Sequence, residues 1–378
     1  MNPIYLDYAA ATPMDLAVAA AMQPYLSERF FNPSATYAAA RVVRKDLEAA
    51  RIRVAHWFGA RPAEVVFTAG GTEANNLAIR GVMTRFPEGN LVTTAIEHES
   101  VLATAEQFVH SKASVDAAGI VDVSALLGLV DDRTVLVSVM YANNEVGTVQ
   151  PIRQIGIELE KIRGQRRQAG NDLPLYLHTD AAQAAAYLDL HVARLGVDLL
   201  TLNAGKIYGP KQVGCLYAAS HVQLSAQVSG GGQERGMRSG TENVAGVIGF
   251  ALALDLVQTR RHEEVRRLQE LRTFFFDQLM EQIPDVIVNG SLMHRLPNNV
   301  HITMPGQDNE RLIFALDEQG ILCAAGSACS ASNEEPSHVL RAMGVTEADA
   351  QASLRFTMGL QTDKAQIQRV IAKLPILF

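Results

Sequence analysis

The chain has 378 residues, a formal net charge of −7, 48% hydrophobic and 19% charged residues, and three cysteines. That length suits two domains sharing a core, and the acidic balance without any long basic run excludes a surface built for nucleic acid. The odd, low cysteine count argues against a disulfide framework, no cysteine pair has metal-ligand spacing, and no uninterrupted apolar run is long enough to span a bilayer.

The first residues lack the charged segment and apolar core of a signal peptide, so the expected location is the cytoplasm. From there the chain alternates strand-like apolar runs with helical periodicity. Strands are predicted over 64–68, 90–94, 135–140, 175–179, 199–202 and 214–218, and helices over 34–57, 72–86, 100–111 and 152–169. Such alternation specifies an α/β fold with a largely parallel sheet covered on both faces. A long helix over 244–282 leads into a smaller α+β part. That part has short strands at 286–288 and 300–303, a helix at 309–318, a strand at 354–355 and a last helix at 362–373. In open α/β sheets ligands sit at the carboxyl ends of the strands, and the polar residues of interest follow strand-like runs.

Four segments carry chemistry. In Thr68-Ala-Gly-Gly-Thr72-Glu a strand ends, two glycines turn and a helix opens. Amides and a hydroxyl at a helix start suit one phosphate, although a plain strand-to-helix turn looks the same. In His178-Thr-Asp180-Ala-Ala-Gln183 a carboxylate ends a run apolar enough to be buried, and so needs a cationic partner unless it caps the next helix. Lys206, in Asn203-Ala-Gly-Lys206-Ile-Tyr-Gly-Pro-Lys211, follows a strand in a glycine-flanked turn. Partial burial there would lower its pKa and suit a Schiff-base lysine, while a surface loop lysine remains the plain alternative. Cys329 lies among small residues, Ala324-Ala-Gly-Ser-Ala-Cys329-Ser-Ala-Ser, with no apolar periodicity, which reads as an exposed loop bearing a reactive thiol. Cys323 and Cys215 sit in apolar runs and read as core fillers.

Taken together these segments resemble the NifS/IscS-type cysteine desulfurases of the class V aminotransferase group. The similarity runs from Leu6-Asp-Tyr-Ala-Ala-Ala-Thr-Pro13 to Arg355-Phe-Thr-Met-Gly359. It includes Asn32-Pro-Ser34, Gly71-Thr-Glu-Ala-Asn-Asn76, Glu97-His98, Asn143-Asn-Glu-Val-Gly147, Asp180-Ala-Ala-Gln183, Lys206-Ile-Tyr-Gly-Pro-Lys211, Glu234-Arg-Gly-Met-Arg-Ser-Gly-Thr241 and Gly326-Ser-Ala-Cys329. The resemblance implies a fold-type I pyridoxal 5'-phosphate (PLP) enzyme whose large domain holds a mostly parallel seven-stranded sheet. It implies a large domain over 15–256 and a small domain from 1–14 and 257–378 that carries the cysteine loop, about 324–337.

It also implies the site. Lys206 binds PLP covalently, and Gly71 and Thr72 hold its phosphate. His98 stacks on the ring and assists proton transfer, Asp180 pairs with the ring nitrogen, and Gln183 and Asn144 reach the phenolic oxygen. Arg355, with Asn144, takes the substrate carboxylate. Thr241 reaches the phosphate of the neighbouring subunit of a homodimer. L-cysteine would give L-alanine and a persulfide on Cys329, passed to an acceptor such as an iron–sulfur scaffold or a tRNA-thiolating enzyme. No metal is expected, apart from transient contact of Cys329 with an iron–sulfur cluster.

Three departures from the family pattern stand out. Asn203 and Gly205 replace the usual serine and histidine that contact the phosphate, so PLP should be held more weakly. Tyr37 stands where a histidine is common, and the sequence stops at Phe378, where housekeeping relatives extend toward the scaffold protein. The competing readings are a selenocysteine lyase or another class V enzyme, which need not use Cys329, and a non-catalytic sulfur-relay partner.

Overall fold

The apolar runs between residues 64 and 218 become strands buried on both faces, as parallel sheets covered by helices require. The computed structural model describes residues 3–283, 285–326 and 336–374. Its strands are β1 (Ile4–Tyr5), β2 (Val65–Thr68), β3 (Asn90–Thr94), β4 (His110–Ala113), β5 (Thr134–Ser138), β6 (Tyr176–Asp180), β7 (Leu199–Asn203), β8 (Gly214–Ala218), β9 (Ile287–Val288), β10 (Asn299–Thr303), β11 (Ile321–Leu322) and β12 (Ser353–Thr357).

A seven-stranded sheet runs β2-β8-β7-β6-β5-β3-β4. All its pairings are parallel except those of β8, which runs antiparallel to both β2 and β7. Two reversals cancel, so β2 points the same way as β7, and the carboxyl ends of six strands lie along one edge. Helix Ala38–Phe58 buries Val43, Leu47, Val54 and Phe58, a stripe at helical spacing.

One expected element is corrected. The helix expected over 100–111 is helix Glu99–Ala105, and residues 110–113 form β4, which pairs with β3. The free edge of β3 recruits this polar segment, and exposed Lys112 suits a sheet edge.

Helix Val244–Gln282 has 39 residues, about 58 Å of rise. Val247, Phe250, Leu254 and Val257 pack into the core around the large sheet. Leu268, Phe275 and Leu279 pack into a second core with β10 and β12 residues Val300, Ile302, Leu354 and Phe356. There β10 pairs antiparallel with β9 and β12, and β1 pairs in parallel with β11. The last helix is Lys364–Lys373, started by a capping box between Asp363 and Gln366.

A buried ion pair fixes the segment that ends at Thr241. Arg51, 3% exposed, donates to both Glu234 oxygens at 2.6 and 2.8 Å, and Phe67 N–H donates to the same carboxylate at 3.0 Å. Removing one partner leaves an uncompensated buried charge. Glu234→Ala is therefore expected to lose about 3 kcal/mol of stability, measured by chemical denaturation; an unchanged midpoint would reject this role.

Candidate active site

The strand ends deliver the predicted residues to one place. Gly71 and Thr72 follow β2, His98 follows β3, Asn144 follows β5, Asp180 ends β6 and Gln183 follows it, while Asn203 ends β7 and Lys206 follows. All of them, with Arg355 of β12, line one cavity of about 250 Å³. Ala10, Gly71, Thr72, Asn203 and Lys206 also line an adjoining cleft of about 870 Å³, which includes Gly205 and Lys211.

The turn before helix Gly71–Arg85 depends on glycine. Gly70 has φ 129°, a conformation that L side chains rarely adopt, and it opens the helix so that the amides of its first turn border the cleft. Gly214 of β8 packs beneath it, where a Cβ would lie 2.7 Å from the Gly70 carbonyl carbon.

Lys206 ends a short 3₁₀ turn, and its Nζ donates to the carbonyls of Ala9 and Ala10, both at 2.7 Å. Gln183 Nε2 donates to the same Ala9 carbonyl at 3.0 Å. Asp180, 9% exposed, accepts from Asn75 Nδ2 at 2.7 Å and from Ala182 N–H at 2.9 Å. It makes no ion pair among the described residues. A nearly buried carboxylate served only by neutral donors beside a cavity fits a cationic ring nitrogen. The helix-start amides and Thr72 fit a phosphate, and Lys206 fits an aldehyde.

Arg355 is 1% exposed. Nη2 pairs with Asp7 Oδ1 at 2.7 Å and Nη1 donates to the Asn144 carbonyl at 3.0 Å. Nε is buried without a partner among the described residues.

The remaining positions are distributed differently. Thr241 is exposed and lies outside its own chain's cavity. Cys329 lies outside the described residues. Burial pushes the Cys323 thiol up to about 12 and raises the fully buried Cys215 still further, so neither suits nucleophilic attack at neutral pH.

Sequence reasoning gave no role to Asp7, Asn75, Glu97 or Ser100. Glu97 is fully buried; Oε1 accepts from Thr94 Oγ1 at 2.6 Å and Met140 N–H at 2.9 Å, and Oε2 has no partner among the described residues. Its place within Glu97-His98 was the available signal.

A family model for "Aminotransferase class-V" matches residues 4–370. The chain belongs to the class-V aminotransferase family. Its cofactor is PLP. It is 40% identical to "Cysteine desulfurase IscS" of Dictyoglomus turgidum, over 98% of this chain and 95% of that protein. Among solved structures, a "NifS-like protein" matches with TM-score 0.90 and 30% identity, covering 99% of both chains. "SspA in complex with cysteine" matches with TM-score 0.81 and 32% identity over 94% of this chain and 98% of that one.

Burial, with a smaller push from Asp180, raises Glu97 to about 8. From its ordinary value of 4.5 up to about 8, the folded chain keeps a proton that the unfolded chain releases, so its contribution to stability falls as pH rises through that window. Glu97→Gln keeps the shape and removes the titration. Its stability is expected to decline less with pH across that window, measured by denaturation at several pH values; an unaltered slope would contradict the assignment.

Proposed function

We propose that this chain is a cysteine desulfurase, converting L-cysteine to L-alanine and leaving the sulfur as a persulfide on Cys329. The convergence of Thr72, His98, Asn144, Asp180, Gln183, Asn203, Lys206 and Arg355 on one cavity carries this reading. The reduced potential of Cys215 and Cys323 as nucleophiles supports Cys329 as the sulfur-accepting thiol.

The roles follow from the side chains. Thr72 and the adjoining amides bind the phosphate, Asp180 holds the ring nitrogen protonated, and His98 covers the ring. Gln183 and Asn144 orient the ring's phenolic oxygen, and Asn203 borders the phosphate. Bound PLP supplies an electron sink for the substrate's Cα. Arg355, held by Asp7, orients the substrate carboxylate through N–H donors left unused by Asp7 and the Asn144 carbonyl. Lys206 Nζ would be the amine that holds the cofactor and, when free of it, the base that takes the substrate's Cα proton. Cys329 Sγ attacks the substrate sulfur as its bond to Cβ breaks; the electron pair returns to carbon, which is protonated, and alanine leaves.

The wider reading is a cytoplasmic homodimer in which Thr241, exposed at the end of an ion-paired segment, completes the partner's phosphate site. The sulfur acceptor is a protein such as an iron–sulfur scaffold or a tRNA-thiolating enzyme. The large domain spans 15–256, and 1–14 with 257–378 form the small one.

Purified protein is expected to show the visible absorbance of lysine-bound PLP and to release alanine and sulfide from L-cysteine in the presence of a reductant. Lys206→Ala should lose the band. Cys329→Ser should keep it and lose sulfide release at least roughly 100-fold; release at the full rate from that variant would overturn the persulfide route.

Gly205 bears on cofactor retention. A Cβ there would meet Asn203 Oδ1 at 3.6 Å and Lys211 Cγ at 3.8 Å, ordinary contacts, so the backbone accepts a Cβ. Gly205→His is expected to tighten PLP binding about three- to tenfold, the worth of one added hydrogen bond, in a spectroscopic titration; equal affinity would discount the vacancy.

A further inference from the structure

A directional hydrogen-bond chain connects Asp180 to His98. Asn75 is 1% exposed, and its Nδ2 reaches both Asp180 Oδ2 at 2.7 Å and Ser100 Oγ at 2.9 Å. An ionised carboxylate only accepts, so the amide must turn its NH₂ toward Asp180, and its second N–H then falls on Ser100. Ser100 Oγ lies 2.8 Å from His98 Nδ1, and the Ser100 backbone N–H donates to the same nitrogen at 3.1 Å.

A backbone N–H cannot accept. Nδ1 of His98 must therefore present its lone pair, and the Ser100 hydroxyl, already accepting from Asn75, gives its own proton to that nitrogen as well. Two donors converge on Nδ1, which leaves the proton of the neutral ring on Nε2.

We infer that Asn75 and Ser100 are positioning residues that hold His98 as its Nε2–H tautomer, so that the imidazole lining the cavity serves as a ring platform and hydrogen-bond donor and not as a base. To take up a proton this tautomer must receive it at Nδ1, against the Ser100 N–H. Removal of the substrate proton consequently falls to Lys206. This division of labour rests on the proposed desulfurase reading, while the tautomer itself rests only on the contacts above.

The test is nitrogen NMR on ¹⁵N-histidine-labelled holoenzyme at neutral pH, with His98 assigned by the signals lost in His98→Gln. The expected result is a protonated Nε2 and an unprotonated Nδ1. Ser100→Ala removes one donor and should weaken the tautomer preference about fivefold and lower kcat about five- to tenfold, with KM for L-cysteine within about twofold. Ser100→Thr, which keeps the hydroxyl, should restore both. A proton on Nδ1 in the unmutated enzyme, or an unchanged tautomer ratio and kcat in Ser100→Ala, would overturn the inference. Absence of the lysine-bound PLP absorbance would instead sink the functional reading, and the same spectra would still decide the tautomer.

Discussion

The site is organised around the carboxylate of Asp180. It sits at the carboxyl end of β6, nearly buried, between the amide of Asn75 and the backbone N–H of Ala182. Neutral donors stabilise such a charge only in part, so the fold holds an electrostatic demand that a protonated ring nitrogen would meet. The strand places Asp180 deep, and helix Gly71–Arg85 supplies Asn75 from one side. The same helix opens with the amides that border the phosphate cleft. In the proposed reading one helix would serve both ends of a pyridoxal phosphate molecule, which accounts for a start set so closely by Gly70 and Gly214.

The neighbouring buried groups keep that charge distinct. Burial lowers His178, two residues before Asp180 on the same strand, to about 4, so it stays neutral at physiological pH, bonded to Ser138 and Thr201. Glu97 is raised to about 8 and holds its proton. One neighbour is thus kept from charging positive and the other from charging negative beside Asp180. This follows from desolvation more than from pairing, because both groups are fully buried and the first cause of each shift is burial.

Much of this was readable in the sequence because strand-to-helix turns announce themselves chemically. The Gly-Gly-Thr turn, the Asp180 strand end and the glycine-flanked Lys206 each break an apolar run at the point where an α/β sheet presents its ligands. Their joint meaning came from resemblance, since each alone also reads as ordinary structure. Asn75 and Ser100 stayed silent because small polar residues near a helix start have local uses that need no site. His98 illustrates the overlap: it caps helix Glu99–Ala105 and lines the cavity at once. β4 was hidden because its polar residues carry no strand signal, and only the waiting edge of β3 gives them one. Arg355 alone carried no sign of its burial, because its partner Asp7 lies 348 residues away, beyond any local pattern.

The described flanks of the cysteine segment are both fastened beside this site. On one side Ala324 exchanges backbone hydrogen bonds with Arg355, at 2.6 and 3.2 Å. On the other, Ser337 donates to Glu145 Oε2 at 2.5 Å and His338 Nε2 donates to the Glu97 carbonyl at 2.9 Å. A Cβ at Gly326 would lie 3.2 Å from that same Glu145 oxygen, so both flanks meet at one buried side chain next to Asn144 of the cavity. The two described flanks of the segment thus lie beside Arg355 and Asn144, the residues to which the proposed function gives the substrate carboxylate.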